Sequence, residues 1–286
     1  MDSLRAGDGT DLHLRRWPAS GAARGDVLLV HGLGEHSGRY GALAAALNAA
    51  GWHVTGFDQR GHGASAGARG VIPAPEALLA DLALVIDAVR GPGPLVLLGH
   101  SMGGLVGARF AAEALAPAPA PWSRPLDGLV LSSPALDPGM NAAQKALLAL
   151  LGRLAPNLAV NNGLKPEWIS RDPAVVADYV ADPLVHNRIA ARLVRFIVDG
   201  GACARALAPR WRVPTLLLWA GADRCVAPAA SAAFAAAAPP GVVTAQACPG
   251  LFHEIFNEPE KAGPLARLMG WLARFSDPTV PEETPR

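Results

Sequence analysis

The stretch Leu95-Val96-Leu97-Leu98-Gly99-His100-Ser101-Met102-Gly103-Gly104 decides how this chain is read. Four apolar residues, too few for a helix of their own, run into Gly99-x-Ser101-x-Gly103. Leu105, Val106, Ala108, Phe110 and Ala111 follow at positions that suit the buried side of a helix. The pattern predicts a buried strand that turns sharply into a helix around a serine. Glycines two positions before and after that serine let neighbouring backbone approach a strained turn. Such a turn presents the hydroxyl at the edge of a sheet. The first amides of the new helix then point at any oxyanion formed there. Ser101 is the candidate nucleophile.

Strands and helices alternate on both sides of this turn. Thr10 to Trp17 reads as an edge strand, and Val27-Leu28-Leu29-Val30 as a buried strand ending at His31-Gly32-Leu33-Gly34-Glu35-His36. Tyr40 to Ala50 reads as an amphipathic helix closed by Gly51, and Val54 to Phe57 as the next strand. Glu76 to Val89 carries Leu78, Leu79, Leu82, Val85, Ile86 and Val89 at helical spacing. Leu129 to Leu131, Thr215 to Trp219 and Val242 to Ala247 are further strands, and Leu265 to Phe275 is a closing helix. This alternation predicts an α/β class: a mostly parallel central sheet with helices on both faces. Catalytic loops then belong at the carboxyl ends of the strands.

One interval breaks the rhythm. Between Pro138 and Arg212 no strand-like run appears, and Pro156, Pro166, Pro173 and Pro183 punctuate short helical stretches. The predicted organisation is a first core part over 1–137, a helical cap over 138–212, a second core part over 213–275 and a flexible tail over 276–286. Within the cap, Ala146 to Leu151 is apolar on all sides and flanked by Lys145 and Arg153. Packing against the main domain is the favoured reading, and a transient membrane-surface contact through the cap the other.

The composition narrows the class of partner. The chain has 286 residues, 51% of them hydrophobic, and a formal charge of +1. It is long enough for a sizeable core, and no cluster of basic residues points to nucleic acid. Arginine outnumbers lysine 22 to three, which reads as the codon bias of a GC-rich genome. Met1 to Arg5 has no apolar stretch suited to a secretory leader, and no uncharged run nears the roughly 20 apolar residues of a spanning helix. Cys203, Cys225 and Cys248 have neither disulfide nor zinc-ligand spacing. The expectation is a soluble cytoplasmic enzyme with no metal and no cofactor, its oligomeric state open.

A serine nucleophile needs a base, and the base an orienting acid. Of the eight histidines, His31 and His100 flank glycine turns and read as structural hydrogen-bonders. His62 lies in a glycine-rich loop, and His13, His36, His53 and His186 show no partner pattern. His253 follows the last strand on the loop Pro249-Gly250-Leu251-Phe252-His253-Glu254, late in the chain, and is the candidate base. Asp223, just beyond the strand Leu216-Leu217-Leu218-Trp219, is the candidate acid, with Asp137 as its competitor. The oxyanion hole requires two backbone amides, assigned to Met102 and to Leu33 of the His31-Gly-Leu-Gly34 loop. Asp58-x-Arg60-Gly61-His62-Gly63-x-Ser65 reads as scaffolding, with Arg60 and His62 bonded to neighbouring turns. It is not a phosphate or dinucleotide fingerprint.

The motifs together resemble the monoacylglycerol lipase and lysophospholipase family, the serine-aminopeptidase-like branch of the α/β-hydrolases. The matching stretches are His31-Gly-Leu-Gly-Glu-His-Ser-Gly-Arg39-Tyr40, Asp58-Gln-Arg-Gly-His-Gly63, Gly99-His-Ser-Met-Gly-Gly104, Ser132-Ser-Pro-Ala135 and Ala222-Asp-Arg224. Tyr179-Val-Ala-Asp182-Pro-Leu184 is similar to a cap motif of the family, so the likeness runs from about Thr10 to Phe275. It implies Ser101, Asp223 and His253 as triad, Leu33 and Met102 as oxyanion amides, and Glu35, Arg39 and Tyr179 at the polar end of the pocket. In some family lipases a second histidine lies three residues after the catalytic one; here that position is Phe256. The implied reaction is hydrolysis of single-chain lipid esters, monoacylglycerol or lysophospholipid, through an acyl-enzyme. The alternatives are a short-chain carboxylesterase or acyltransferase, or a non-enzymatic receptor on the same fold. An aminopeptidase needs an acidic site for a free amino terminus, and Glu167, Asp172, Asp178 and Asp182 show no such pairing.

Overall fold

The apolar runs of the sequence become strands covered on both faces, as parallel sheets require. The computed structural model describes residues 2–275. The tail expected over 276–286 lies outside the described residues. The first half of the chain gives β1 (Ser3–Arg5), β2 (Asp11–Trp17), β3 (Gly25–Val30), α1 (Gly41–Ala49), β4 (Trp52–Phe57), α2 (Ala77–Val89), β5 (Leu95–His100) and α3 (Met102–Glu113). There follow β6 (Gly128–Ser132), α4 (Ala142–Leu154), β7 (Ala159–Asn161), α5 (Pro173–Ala181), β8 (Arg188–Ala190) and α6 (Ala191–Leu207). The chain closes with β9 (Thr215–Ala220), α7 (Pro228–Ala237), β10 (Val243–Cys248) and α8 (Ala262–Leu272).

Eight strands form one sheet in the order β1-β2-β4-β3-β5-β6-β9-β10. All neighbours from β4 to β10 are parallel, whereas β2 runs antiparallel to β4 and β1 antiparallel to β2. Successive residues of a strand face opposite sides, and this alternation builds two cores. Leu28, Val30, Leu97 and Leu131 pack with α2, α3 and α6 on one face. Val27, Leu29, Val96 and Leu98 pack with α1 and α8 on the other. The chain leaves β3 toward one edge of the sheet and β5 toward the other. The crevice between their carboxyl ends is therefore the topological switch point where open α/β sheets bind ligands.

The structure adds to or departs from the sequence reading in several places. β2 is not the edge, because the three-residue β1 pairs outside it. The interval 138–212 contains strands after all: β7 and β8 form a separate antiparallel pair, each too short for a residue pattern to reveal. Its last helix, α6, buries Leu193, Phe196, Ile197, Gly200 and Ala204 on one side and packs with the main core. α4, favoured as a packing helix, lies against α6 with Leu148 and Leu151 half-buried, while Leu147, Leu150 and Leu154 are 55%, 55% and 75% exposed. A helix without a sequence signal, α7, is mostly alanine and starts from Pro228 at its first turn. Among the described residues no helix is long and apolar enough to cross a membrane.

Candidate active site

Ser101 sits at φ 54°, ψ −119°, outside the conformations L-residues favour, between the end of β5 and the first turn of α3. The backbone around it leaves no room for side chains. A Cβ at Gly103 would be driven into the carbonyl oxygens of Val30 and His31, and one at Gly99 into that of Gly103. The turn is pinned by Ser101 N–H donating to Ser132 O at 2.9 Å and by Leu105 N–H donating to Ser101 O at 3.0 Å.

The loop after β3 lies beside this turn because β3 and β5 are neighbours. His31 anchors it. Its Nδ1 donates to Gly32 O at 2.7 Å, and its Nε2 accepts from Gln59 N–H at 2.8 Å. Those partners assign the neutral Nδ1–H tautomer, and burial holds the imidazole below its usual range. Gly34 has φ 79° and accepts from His186 N–H at 2.8 Å, so the segment before β8 docks on this loop.

His253, on the loop after β10, places Nδ1 2.7 Å from Asp223 Oδ2. The other carboxylate oxygen, Oδ1, accepts from Cys225 N–H at 2.7 Å and Val226 N–H at 3.1 Å, which fixes the orientation of the acid. Asp137 has no hydrogen bond to His253; it accepts from Gly139 N–H two residues on, at the protein surface. Burial works against a charged His253, but the adjacent Asp223 outweighs it and holds the imidazole above its usual range. The His100 ring lies 4.7 Å from that of His253, tilted by 56°. Burial, reinforced by His253, keeps His100 neutral with a pKa of about 3.

Two cavities meet at Ser101. The first, of about 370 Å3, is lined by Ser101, His253, Glu35, Tyr179, Glu254 and Asp182 among others. The second, of about 350 Å3, has apolar walls from Leu148, Leu151, Ile189, Val194 and Ile197. Leu33, Ser101 and Cys225 border both, and Met102 borders the second. Glu35 and Tyr179 both line the first cavity. Arg39 does not border it; it stands one layer behind. Its guanidinium donates to Glu35 Oε2 at 2.7 Å and to both oxygens of Glu254 at 2.7 and 2.9 Å, and lies over the Tyr179 ring. Burial opposes the ionisation of Glu35, yet Arg39, helped by the Tyr40 hydroxyl, holds its carboxyl down at about 2. Phe256 borders a small cavity together with Arg39 and Glu254.

Sequence reasoning missed three features of this site. Glu254 carries no motif of its own, and its partner Arg39 is 215 residues away. His36 and Asp182, given no partner, pair at 2.8 Å and join the loop after β3 to the end of α5. Arg60, assigned to neighbouring turns, does bond Asp8 in the turn after β1, and it also makes a two-point ion pair with Asp81 of α2. Cys225 faces both cavities as a thiol, because burial and then Asp223 raise its pKa. Asp223, Cys225 and His253 offer ligand atoms within 4.8 Å of one another, the one such group among the described residues. The Asp223–His253 hydrogen bond accounts for that proximity.

Sheet order, elbow and switch-point loops define an α/β-hydrolase fold. Residues 21–260 match the family described as serine aminopeptidase, S33, and the chain belongs to that family. A monoacylglycerol lipase of Mycolicibacterium smegmatis is 34% identical over 266 residues, covering 90% of this chain and 90% of the relative. An abhydrolase domain-containing protein of Dictyostelium discoideum is 32% identical over 275 residues, and there the chain spans 29% of the relative's length. A monoacylglycerol lipase from Paleococcus ferrophilus superposes with a TM-score of 0.82 at 37% identity, over 93% of this chain and 99% of that one.

Proposed function

We propose that the protein is a serine hydrolase of carboxylic esters acting on single-chain lipids, monoacylglycerol or lysophospholipid. The observation that carries this reading is the position of Ser101 where a cavity that Glu35, Tyr179, Asp182 and Glu254 help to line meets an apolar one, with His253, paired to Asp223, on the first side. Head group and acyl chain then extend in different directions from the scissile carbonyl. The names of the M. smegmatis and P. ferrophilus relatives agree with it.

In the proposed reaction His253 Nε2 takes the Ser101 hydroxyl proton as Oγ attacks the ester carbonyl. The Leu33 and Met102 amides stabilise the oxyanion, and Asp223 holds Nδ1–H and the imidazolium. Collapse of the tetrahedral intermediate expels the alcohol, which leaves with the proton from Nε2. Water, deprotonated by the same nitrogen, attacks the acyl-serine. The second collapse returns the proton to Ser101 and releases the fatty acid. The interval 138–212 serves as cap over both cavities, and the exposed leucines of α4 suit contact with a lipid surface.

The test is steady-state kinetics on p-nitrophenyl esters of increasing chain length, with monoacylglycerol and lysophosphatidylcholine alongside. Wild type should turn over medium and long chains, and Ser101→Ala should be inactive. Turnover of the shortest esters alone would leave a general esterase. Acyl-ligand binding without turnover would remove the enzyme assignment.

A further inference from the structure

The residue after the base is itself a buried acid, and its carboxylate is engaged at both oxygens. We propose that Glu254 is a positioning residue: through Arg39 and Glu35 it latches the loop that carries His253 to the loop that supplies the Leu33 amide. The proposal rests on the serine hydrolase reading above. The connection is continuous. Glu254 accepts from Arg39 Nη1 and Nη2 at 2.7 and 2.9 Å, Arg39 Nη1 also donates to Glu35 Oε2 at 2.7 Å, and Glu35 Oε1 accepts from Gly32 N–H at 2.6 Å. Gly32 precedes Leu33, and Glu254 follows His253. Tyr40 O–H donates to Glu35 Oε1 and Asn257 Nδ2 to Glu254 Oε2, so both carboxylates are held by further donors.

The sheet does not provide this connection. β3 and β10, whose ends carry the two loops, are separated by β5, β6 and β9. The base and the oxyanion amide must nevertheless keep their spacing to within a fraction of an ångström for both to act on one carbonyl. A bidentate guanidinium–carboxylate pair supplies angular as well as radial restraint. Burial of three charges is an expensive way to stabilise a fold, since apolar side chains of similar volume serve at least as well. Here the side chains of Arg39, Glu35 and Glu254 are 11%, 5% and 7% exposed, and what the arrangement secures is geometry.

The latch also leaves two carboxylates sharing one guanidinium beside the base. The groups facing His253 are Asp223 and Cys225 from the loop after β9, Ser101 and His100 from β5 and its turn, and Glu35 from the loop after β3. Glu254 on its own loop and Tyr179 of α5 also face it, and Lys165, Asp182 and His186 line the same cavity. Burial disfavours the imidazolium, while Asp223 first, then Glu254 and Glu35, favour it.

The test compares wild type, Ser101→Ala, Glu254→Gln and Arg39→Lys on a soluble short-chain p-nitrophenyl ester, with thermal unfolding of each. Glu254→Gln keeps the side-chain shape but not the charge. Its kcat should fall by roughly 10- to 100-fold with little change in KM, the cost of slightly misplaced catalytic groups. The acid limb of its kcat/KM profile should move to lower pH. Arg39→Lys keeps the charge and loses the fork, so kcat should fall while the acid limb stays in place. Should Glu254→Gln not fold, Glu35→Gln, which can keep its oxygen on Gly32 N–H but loses the acceptor for Arg39 and a charge facing His253, should lower kcat and shift the limb in the same direction. Folded variants with wild-type kcat and an unmoved acid limb would overturn the latch. A Ser101→Ala protein that still hydrolyses the ester would instead overturn the reading on which the latch rests.

Discussion

Replacing Asp223 with Asn reverses one hydrogen bond and leaves the shape of the site intact. In the wild type Oδ1 accepts from two backbone amides, of Cys225 and Val226, and Oδ2 faces His253 Nδ1 at 2.7 Å. An asparagine must keep its oxygen on the two amides, which forces its NH2 toward Nδ1. His253 then has to accept there, and its proton moves to Nε2, the atom that must receive the proton of Ser101. The substitution thus makes the wrong tautomer the stable one. In serine hydrolases with this constellation the penalty is about 10^4 in kcat. At about 1.36 kcal/mol per factor of ten, this is ~5.5 kcal/mol of transition-state stabilisation. The loss of charge also removes the largest influence that raises His253, so the acid limb of any residual activity should move to lower pH. The buried hydrogen bonds are re-formed rather than lost, and the melting temperature should change little. The assay is single-substrate kinetics on a p-nitrophenyl ester, with thermal unfolding and an Asp137→Asn control that should behave as wild type. A folded Asp223→Asn protein within tenfold of wild-type kcat would refute the assignment of the acid.

Val194→Trp narrows the apolar cavity and should lower kcat/KM for long acyl chains relative to butyrate; an unchanged chain-length ratio would place the acyl chain elsewhere. Leu150→Ser combined with Leu154→Ser should weaken association with phospholipid vesicles while hydrolysis of a soluble short ester continues, measured by co-sedimentation and kinetics. Glu258 accepts from Ser170 Oγ, Arg171 N–H and Nε–H, and Phe252 N–H, tying the chain just before α5 to the loop of His253. Burial opposes its ionisation, yet Arg171 and the other donors hold the carboxyl below its ordinary value of 4.5. Its contribution to stability is therefore complete above that value and lost as pH falls through the lower folded value. The melting temperature of wild type should drop on acidification in that range, and Glu258→Gln should flatten the drop.

The elements legible in the sequence are those whose causes are local. β3 and β5 announce themselves because runs such as Leu95-Val96-Leu97-Leu98 suit a strand covered on both faces. The elbow is legible because only glycine tolerates the backbone oxygens that crowd positions 99 and 103. Asp223 and His253 could be placed because chain order assigns them to the ends of successive strands, β9 and β10. α7 was hidden because alanine gives no contrast between helix faces, and β7 and β8 because three residues hold no period. Charge pairing lay further from view. Nothing near Arg39 says that Glu254 will meet it, nor anything near His36 that Asp182 will. Such partners are chosen by where strand ends come together, and a buried charge must find one there because the interior cannot solvate it. The turn at Ser101 and the sheet beneath it follow from local residue patterns alone. Which charges surround His253 is settled only in the folded chain, because their pairing spans the width of the sheet.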